Sequence, residues 1–355
     1  MKRNILVILV FISIIFFALG IVYTDIICGK WDAHKVYKEY SSAVWLVHTK
    51  WGYQIIVNDE DYTRHFFELQ NKDSVNLIAS FEENGEDNWT IKGGVNEGCA
   101  TAFFIREDGI LATNRHVLSP WLYEENHKDI ENVENILRKF YTNKANSTCD
   151  TLYSYIANNL KIKGCLDSVW ILPNGGYDDI EHRIECNLLE VDLSMEHFYA
   201  KKSSEENDDV TIFQTKNGKL PSSVTKVIKD IDGWFEYDID DPVANTRVGE
   251  TIYAIGFPYG INSLASTIDP KYGQISNQIQ NGIITQYRGV LNFGHNVPVA
   301  NGMSGSPIIN DKGSLVGIHA TGYTGLNGVQ GMNQGVSANL LYKCVLDWDT
   351  YNNNK

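Results

Sequence analysis

The stretch CATAFFIREDGILATNRHVL, residues 99–118, predicts a β-hairpin. A run of apolar and small residues precedes a turn at 107–109, and a second apolar run follows it. The second strand ends in TNRHV, which puts His116 where the chain leaves the strand for turn residues at 119–120. A histidine held at the end of a strand is a candidate general base, so the hairpin suggests a chemistry as well as a fold.

Short runs rich in β-branched and aromatic residues recur along the chain, each bounded by turn signals. With 29 Gly, 19 Tyr, 14 Phe and 8 Trp among 355 residues, the composition is typical of a β-rich globular protein. The sequence thus predicts an all-β architecture built from two similar units. Besides the hairpin, the predicted strands lie at 42–57 (two runs), 168–176, 182–193, 208–216, 249–260, 281–291, 304–310 and 313–323.

Residues 122–163 depart from this β pattern. Apolar side chains recur there at the three- and four-residue spacing of amphipathic helices, which predicts two inserted helices. A terminal helix is predicted at 337–348, and the polar residues 215–245 are typical of a linker. The predicted division of the chain is an N-terminal segment at 1–29, a first β unit at 30–215 that includes the insertion, and a second β unit with the terminal helix at 216–355.

Charge and cysteine usage exclude several classes of partner. The formal net charge is −14 and no cluster of lysine and arginine is interleaved with aromatics, so nucleic acid is not an expected partner. The six cysteines show no CxxC spacing, so no metal site is expected. If Cys28 lies beside a membrane, an odd five are left for the domain, and at least one is expected to be a buried free thiol.

The N-terminus reads MKRNILVILVFISIIFFALGIVYTD and predicts a membrane-spanning helix. Lys2 and Arg3 precede an uncharged run at 5–23, whose 19 residues are enough to cross the hydrocarbon core of a bilayer. One alternative is a cleaved signal peptide ending near 18–20, and another is a lipoprotein signal ending at Cys28. In both, the residues at the cleavage site match the usual pattern poorly. All three place the rest of the chain outside the cytoplasm, either membrane-anchored or, after cleavage, secreted.

The stretch ANGMSGSPII, residues 300–309, places Ser304 between two glycines. Such a turn could be an ordinary hairpin, or it could hold a nucleophile whose oxyanion donors are the amides of Gly302 and Ser304. A nucleophile elbow of the α/β-hydrolase kind is excluded, because the fifth residue of the motif is Ser306 and no acid and histidine follow in order.

A nucleophilic serine needs a base and a group that orients the base. His116 is the strongest candidate base, and His295, nine residues before the serine, is the only close competitor. Asp209 stands directly before the apolar run VTIF, where a carboxylate can be held at the edge of a core. Asp208 and Asp192 are alternatives for the acid.

The order His, Asp, Ser, with LATNRHV, DDVTIF and GMSGSP, resembles the chymotrypsin-like serine peptidases, and most closely the bacterial trypsin-like peptidases of the HtrA type. VGETIYAIGFPYG and NGIITQ are similar to further segments of that group, and the resemblance covers roughly residues 40–345. The insertion and Ala102, where glycine is usual, depart from the pattern. The 36 residues after His319 are too few for a PDZ-like domain, so peptide sensing and cage assembly are not implied.

The resemblance implies two antiparallel Greek-key β-barrels with the active site between them, His116 as base, Asp209 as its orienting group and Ser304 as nucleophile. It implies no cofactor. His319 lies 15 residues after the serine, the spacing of the pocket histidine in the glutamyl endopeptidase branch, which implies a preference for Glu or Gln before the scissile bond. That branch has threonine where this chain has Val299, and His319 could equally be a structural histidine on a strand.

We therefore predict a membrane-anchored, extracytoplasmic serine endopeptidase, at the cell surface or in a bacterial periplasm, that acts on proteins or peptides. The alternative from another class is a catalytically silent peptide-binding or scaffold module on the same fold.

Overall fold

The chain forms two closed antiparallel β-barrels of six strands each, which confirms the predicted all-β architecture. The computed structural model describes residues 29–57, 80–83, 89–120, 160–176, 181–189, 209–228, 247–260, 275–288, 292–322 and 333–353, with a few isolated positions between 135 and 158.

Strands make up about half of the residues that the structure describes. Helix α1 (Ala33–Tyr40) leads through a short 3₁₀ turn into the first barrel, and helix α2 (Arg115–Leu118) is a single turn. The strands are β1 (Val44–Val57), β2 (Ser80–Glu83), β3 (Trp89–Phe104), β4 (Ile110–Thr113), β5 (Leu160–Leu172), β6 (Ile184–Leu188), β7 (Thr211–Thr215), β8 (Thr251–Gly256), β9 (Gln278–Arg288), β10 (Asn292–His295), β11 (Pro307–Asn310), β12 (Leu315–Gly322) and β13 (Asn333–Ser337), and helix α3 (Ala338–Asn353) follows them.

The first barrel runs in the order β1-β5-β6-β7-β4-β3 and closes through pairing of β3 with β1, while β2 extends β3 on the outside. The predicted hairpin is its β3–β4 corner, where Phe103 pairs with Ala112. Gly109 makes the turn with a φ of +79°, a conformation that favours glycine. The interior is filled by side chains with no exposed surface, among them Phe103, Phe104 and Phe213.

Two strands differ from the sequence-based expectation. Within the stretch 42–57, residues 44–57 form one strand, β1, rather than two runs, because a bulge near Trp51 bends the strand without ending it. Strand β5 begins at Leu160, eight residues before the predicted start, so the last positions given to the helical insertion are strand. The rest of 122–163 lies almost wholly outside the described residues, and its isolated described positions are helical.

The second barrel closes in the order β10-β13-β12-β11-β8-β9. Phe293 on β10 lies at its centre with no exposed surface. A Cβ on Gly317 or Gly335 would come within 2.6 Å of the Phe293 ring, so these two strand glycines make the space that the ring occupies. Helix α3 then packs on the barrel from Ala338, confirming the predicted terminal helix and extending it to Asn353.

The segment before β1 contacts both barrels. Trp31 donates its backbone N–H to the Asp311 carbonyl at 2.7 Å, and the Tyr40 hydroxyl donates to the Gly313 carbonyl at 2.8 Å, both in the β11–β12 turn. On β9's side, Asn277 donates its side-chain amide to the carbonyls of Ser41 and Val44 at 2.9 and 3.0 Å. These bonds tie the start of the first barrel to the second barrel.

The predicted N-terminal segment at 1–29 lies outside the described residues except for Gly29. In the part of the chain that the structure describes, no helix is long and apolar enough to span a bilayer. Among the described cysteines, Cys186 is free. Cys186 is the expected buried thiol, and its burial raises the pKa of the thiol.

Replacing Gly335 with alanine should destabilise the second barrel by about 1–3 kcal/mol, because the added methyl group overlaps the Phe293 ring. Urea unfolding measures the change. Gly98→Ala on β3 is the matched control, since a Cβ there meets only Thr49 Oγ1 at 3.5 Å, an ordinary contact. Equal effects of the two substitutions would contradict the packing argument.

Candidate active site

Ser304 lies in the turn between β10 and β11, at the seam between the barrels. Its carbonyl accepts a hydrogen bond from the backbone N–H of Thr101, on strand β3 of the first barrel, at 2.8 Å. The next amide, of Gly305, donates to the His319 carbonyl at 2.9 Å. The Ser304 hydroxyl donates to the Ala320 carbonyl at 3.2 Å. The serine is therefore held between β3 of one barrel and β12 of the other.

The turn before the serine, residues 300–303, has a defined geometry. Met303 donates its N–H to the Ala300 carbonyl at 3.1 Å, and Gly302 has a φ of +94°. Since Asn301 is not among the described residues with positive φ, this is a type II turn, which requires glycine at its third position. A Cβ on Gly302 would also lie 2.3 Å from the Phe257 carbonyl. Glycine is thus needed here for two independent reasons.

His116 and Asp209 are brought together within the first barrel. His116 lies on α2, just after β4, and Asp209 lies two residues before β7, the neighbour of β4. Asp209 Oδ2 is 2.6 Å from His116 Nδ1, and Asp209 Oδ1 accepts the backbone N–H of His116 at 2.9 Å. Asn114 donates its side-chain amide to the Asp209 carbonyl at 2.7 Å. The carboxylate is thus fixed at both oxygens, and its side chain is only 9% exposed.

The other acid candidates, Asp208 and Asp192, lie outside the described residues. His295, the competing base, is on β10 with no exposed surface, so it cannot meet a substrate in this structure. His116 keeps 27% of its side chain exposed, as a group that reacts with a substrate requires.

His319 and His295 form a buried pair inside the second barrel. His295 Nε2 lies 3.2 Å from His319 Nδ1, and the rings meet edge to face. Burial, with further contributions from the charges of His295 and His116, holds the pKa of His319 well below its usual range. Val299, the other predicted pocket residue, is half-buried against the second-barrel core.

Sequence reasoning missed Thr101, which contacts the serine turn more than any predicted residue does. Besides its N–H bond to Ser304, its hydroxyl donates to the Gly302 carbonyl at 2.8 Å and accepts the Phe257 N–H at 3.0 Å. Thr101 stands in the ATAFF segment of the predicted hairpin, but no local sequence pattern indicates its contacts with residues about 200 positions further along the chain. Within the described ranges, no group of His, Cys, Asp or Glu side chains is arranged to hold a metal ion.

Comparison with known proteins finds a match to a family model over part of the chain. Residues 181–318 match the family model of the trypsin-like peptidase domain, a span that contains Asp209 and Ser304 but not His116. The match confirms the resemblance to trypsin-like serine peptidases and supports the predicted enzyme class, a serine endopeptidase. No curated protein matches the chain.

Among solved structures, similar chains include a serine endoprotease from Yersinia pestis, at 12% identity and a TM-score of 0.42 over 90% of this chain. The HtrA-type protease AlgW with a tripeptide is similar at 12% identity and a TM-score of 0.44 over 89% of this chain. AlgW with a decapeptide is similar at 14% identity and a TM-score of 0.43 over 89% of this chain. The chain spans 66, 63 and 68% of the length of those three chains.

The low pKa of His319 predicts a pH-dependent stability. Unfolding releases His319 to its ordinary pKa near 6.5, so below about that pH the unfolded chain binds a proton that the folded chain does not. The free energy of unfolding is therefore unaffected by protonation of His319 above about pH 6.5. It decreases as the pH falls from there toward the lower folded-state pKa, with a slope of up to about 1.4 kcal/mol per pH unit.

Urea unfolding between about pH 7 and 5 should therefore show a smaller slope for His319→Gln than for the parent. The matched control is His34→Gln, an exposed histidine on α1. Equal slopes for the parent and His319→Gln would disprove this assignment.

Proposed function

We propose, from the premise that residues 181–318 belong to a trypsin-like peptidase domain, that the chain hydrolyses peptide bonds with Ser304 as nucleophile, His116 as general base and Asp209 as the group that orients His116. The observation that carries this proposal is the double contact of Asp209 with the ring and the backbone N–H of His116.

Asp209 determines which nitrogen of His116 carries the proton. An ionised carboxylate can only accept, so the 2.6 Å contact requires the proton on Nδ1. Nε2 is then left with its lone pair, which is the form a general base needs. The second contact, from the His116 N–H to the other carboxylate oxygen, prevents the carboxylate from rotating away. When Nε2 takes up the serine proton, the same carboxylate stabilises the imidazolium.

Ser304 supplies the attacking oxygen. Its hydroxyl rotates from the Ala320 carbonyl toward His116 Nε2, transfers its proton there and bonds to the scissile carbonyl carbon. The protonated His116 then gives this proton to the leaving amine. A water molecule, activated by the same nitrogen, hydrolyses the acyl-enzyme and restores Ser304. The chain's own groups supply each proton transfer, so the proposed mechanism uses no cofactor.

The amides of Gly302 and Ser304 are proposed as the oxyanion donors. Among the residues that the structure describes, neither amide has an acceptor, whereas their neighbours Met303 and Gly305 both donate. Amides without a protein partner are available to a developing oxyanion, and one such donor is worth roughly 10²–10³-fold in rate.

His319 is proposed to select Glu or Gln before the scissile bond, with Val299 as part of the pocket wall. If His295 donates through Nε2, then His319 accepts at Nδ1 and carries its own proton on Nε2. The low pKa keeps His319 neutral, so it offers a single N–H to a substrate carboxylate or amide. The hydrogen bond from the buried His295 would determine this tautomer of His319.

We further propose that the enzyme acts outside the cytoplasm, anchored through its N-terminal apolar run, on protein or peptide substrates. The charge order at the N-terminus, Lys2 and Arg3 before the run at 5–23, supports this placement. The acidic balance of −14 supports the exclusion of nucleic acid as a partner.

Replacing Asp209 with asparagine should lower kcat on a cleaved peptide by roughly 10⁴-fold, because an amide permits the wrong tautomer of His116. Ser304→Ala should abolish labelling by a fluorophosphonate. A peptide library incubated with the full chain in detergent and analysed by mass spectrometry identifies a cleaved peptide, and steady-state hydrolysis of that peptide measures kcat. Mass spectrometry of the intact chain after fluorophosphonate treatment measures the labelling. Lys216→Gln is the control, since Lys216 pairs with Glu185 on the exposed surface. If the parent neither cleaves nor labels, a silent peptide-binding module replaces this proposal.

Replacing His319 with valine should reduce the preference for Glu or Gln over Leu by roughly 10–100-fold in kcat/KM, the effect of one hydrogen bond to a charged group. Three peptides that differ only at that residue measure the preference. A parent without the preference, or a variant that retains it, would disprove the role of His319 and leave the peptidase assignment intact.

A further inference from the structure

We infer that Thr101 is a positioning residue that holds the turn 300–303, here called the oxyanion turn, in the orientation that presents the Gly302 amide to substrate. Tyr259 provides a second contact on the same turn. The inference rests on the proposed function, because it assigns a purpose to the Gly302 amide.

Thr101 contacts the oxyanion turn and its continuation at two carbonyls. Its N–H donates to the Ser304 carbonyl at 2.8 Å, and its hydroxyl donates to the Gly302 carbonyl at 2.8 Å. Thr101 has no exposed surface and belongs to strand β3, so these bonds come from the rigid wall of the other barrel. One first-barrel residue thus holds the carbonyls on both sides of Met303.

The direction of the hydroxyl bond is determined by its partners. The Phe257 N–H can only donate and reaches Thr101 Oγ1 at 3.0 Å, so the hydroxyl proton is free to point to the Gly302 carbonyl. The chain of bonds runs from the end of β8, through Thr101, to the oxyanion turn, and successive bonds of this kind polarise one another. The Gly302–Met303 peptide is held at its other end by the bond from the Met303 N–H to Ala300.

Tyr259 holds the adjacent peptide. Its N–H donates to the Asn301 carbonyl at 2.5 Å. No described peptide bond is cis, so the Gly302 N–H points away from this carbonyl and therefore away from Tyr259. If the peptide rotated to the type I form of the turn, the Asn301 carbonyl would take the place of the Gly302 N–H, and an acceptor would face the oxyanion. The bond from Tyr259 opposes that rotation.

The backbone of Tyr259 is strained in a way that fits this role. Its φ of 65° makes it the one non-glycine residue with positive φ among those described. It occupies the third position of a turn closed by the Gly260 N–H and the Phe257 carbonyl at 3.0 Å, with Pro258 before it. Its side chain is 57% exposed, so packing of the ring does not account for the strain. The strained turn places an N–H against the Asn301 carbonyl.

Removing the Thr101 hydroxyl would leave the buried Phe257 N–H and the Gly302 carbonyl without their partner. Unpaired buried groups are costly, and a shift of the oxyanion turn is the route by which they find new partners. The consequence falls on the step that develops an oxyanion and spares the binding of substrate in its ground state.

Thr101→Val in the full chain tests the inference, with Thr101→Ser as the matched control that restores a hydroxyl. We expect Thr101→Val to lower kcat by roughly 10–100-fold while KM changes by less than about threefold. The affinity of a peptide boronic acid, which forms a tetrahedral adduct, should fall in parallel with kcat. Thr101→Ser should regain most of both losses.

Each outcome has a distinct meaning. A parent that cleaves peptides and a Thr101→Val variant with unchanged kcat and boronic acid affinity would overturn the inference alone. An inactive parent would overturn the proposed function itself. A Thr101→Val variant that loses only thermal stability would reduce Thr101 to a structural residue and also overturn the inference.

If Thr101→Val does not fold, the exposed Tyr259 decides the question. Glycine accepts a positive φ and valine does not, so Tyr259→Val should have a kcat at least about tenfold below that of Tyr259→Gly, with similar KM values. Equal kcat values for the two variants would show that the backbone of this residue does not position the oxyanion turn, and would overturn the inference.

Discussion

The contact of strand β3 with the turn that carries Ser304 determines how the two barrels meet. Thr101 donates its N–H to Ser304, and its carbonyl accepts the Thr113 hydroxyl at 2.7 Å. The approach is so close that a Cβ on Gly305 would lie 2.0 Å from the Thr101 carbonyl. Any side chain at 305 would therefore force the barrels apart. The glycine after the serine is required by this seam between barrels as well as by the turn.

The site divides its roles between the two barrels. The first barrel holds the pair His116 and Asp209 on adjacent strands, where three hydrogen bonds from α2 and Asn114 fix the aspartate. The second barrel holds Ser304 and the two amides without partners. A small relative movement of the barrels would change the distance between base and nucleophile without breaking either arrangement. The bond from Thr101 on β3 to Ser304, and the bonds of Trp31 and Tyr40 to the β11–β12 turn, restrain that movement.

Sequence patterns predicted the elements that obey a local rule. The 99–118 hairpin follows from two apolar runs around a glycine turn, and the terminal helix predicted at 337–348 is confirmed as α3. Predictions failed where a distant partner decided the outcome. Strand β1 continues through its bulge because β3 and β5 pair with it on both sides, and β5 starts at Leu160 because β1 offers it a full-length edge. Neither partner is visible from the residues of the strand itself.

By itself, the sequence determined the all-β class, the order of histidine, aspartate and serine, and the backbone freedom that glycine gives at 302 and 305, because each depends on side-chain type or local backbone freedom. The tertiary structure alone decided that Asp209 reaches His116 through both oxygens, that His295 pairs with His319, and that Thr101 and Tyr259 hold the oxyanion turn. These contacts join residues that lie 24 to about 200 positions apart, and two of them use backbone N–H groups that every residue but proline carries. Closure of the barrels, rather than any local pattern, brings such groups within hydrogen-bond distance.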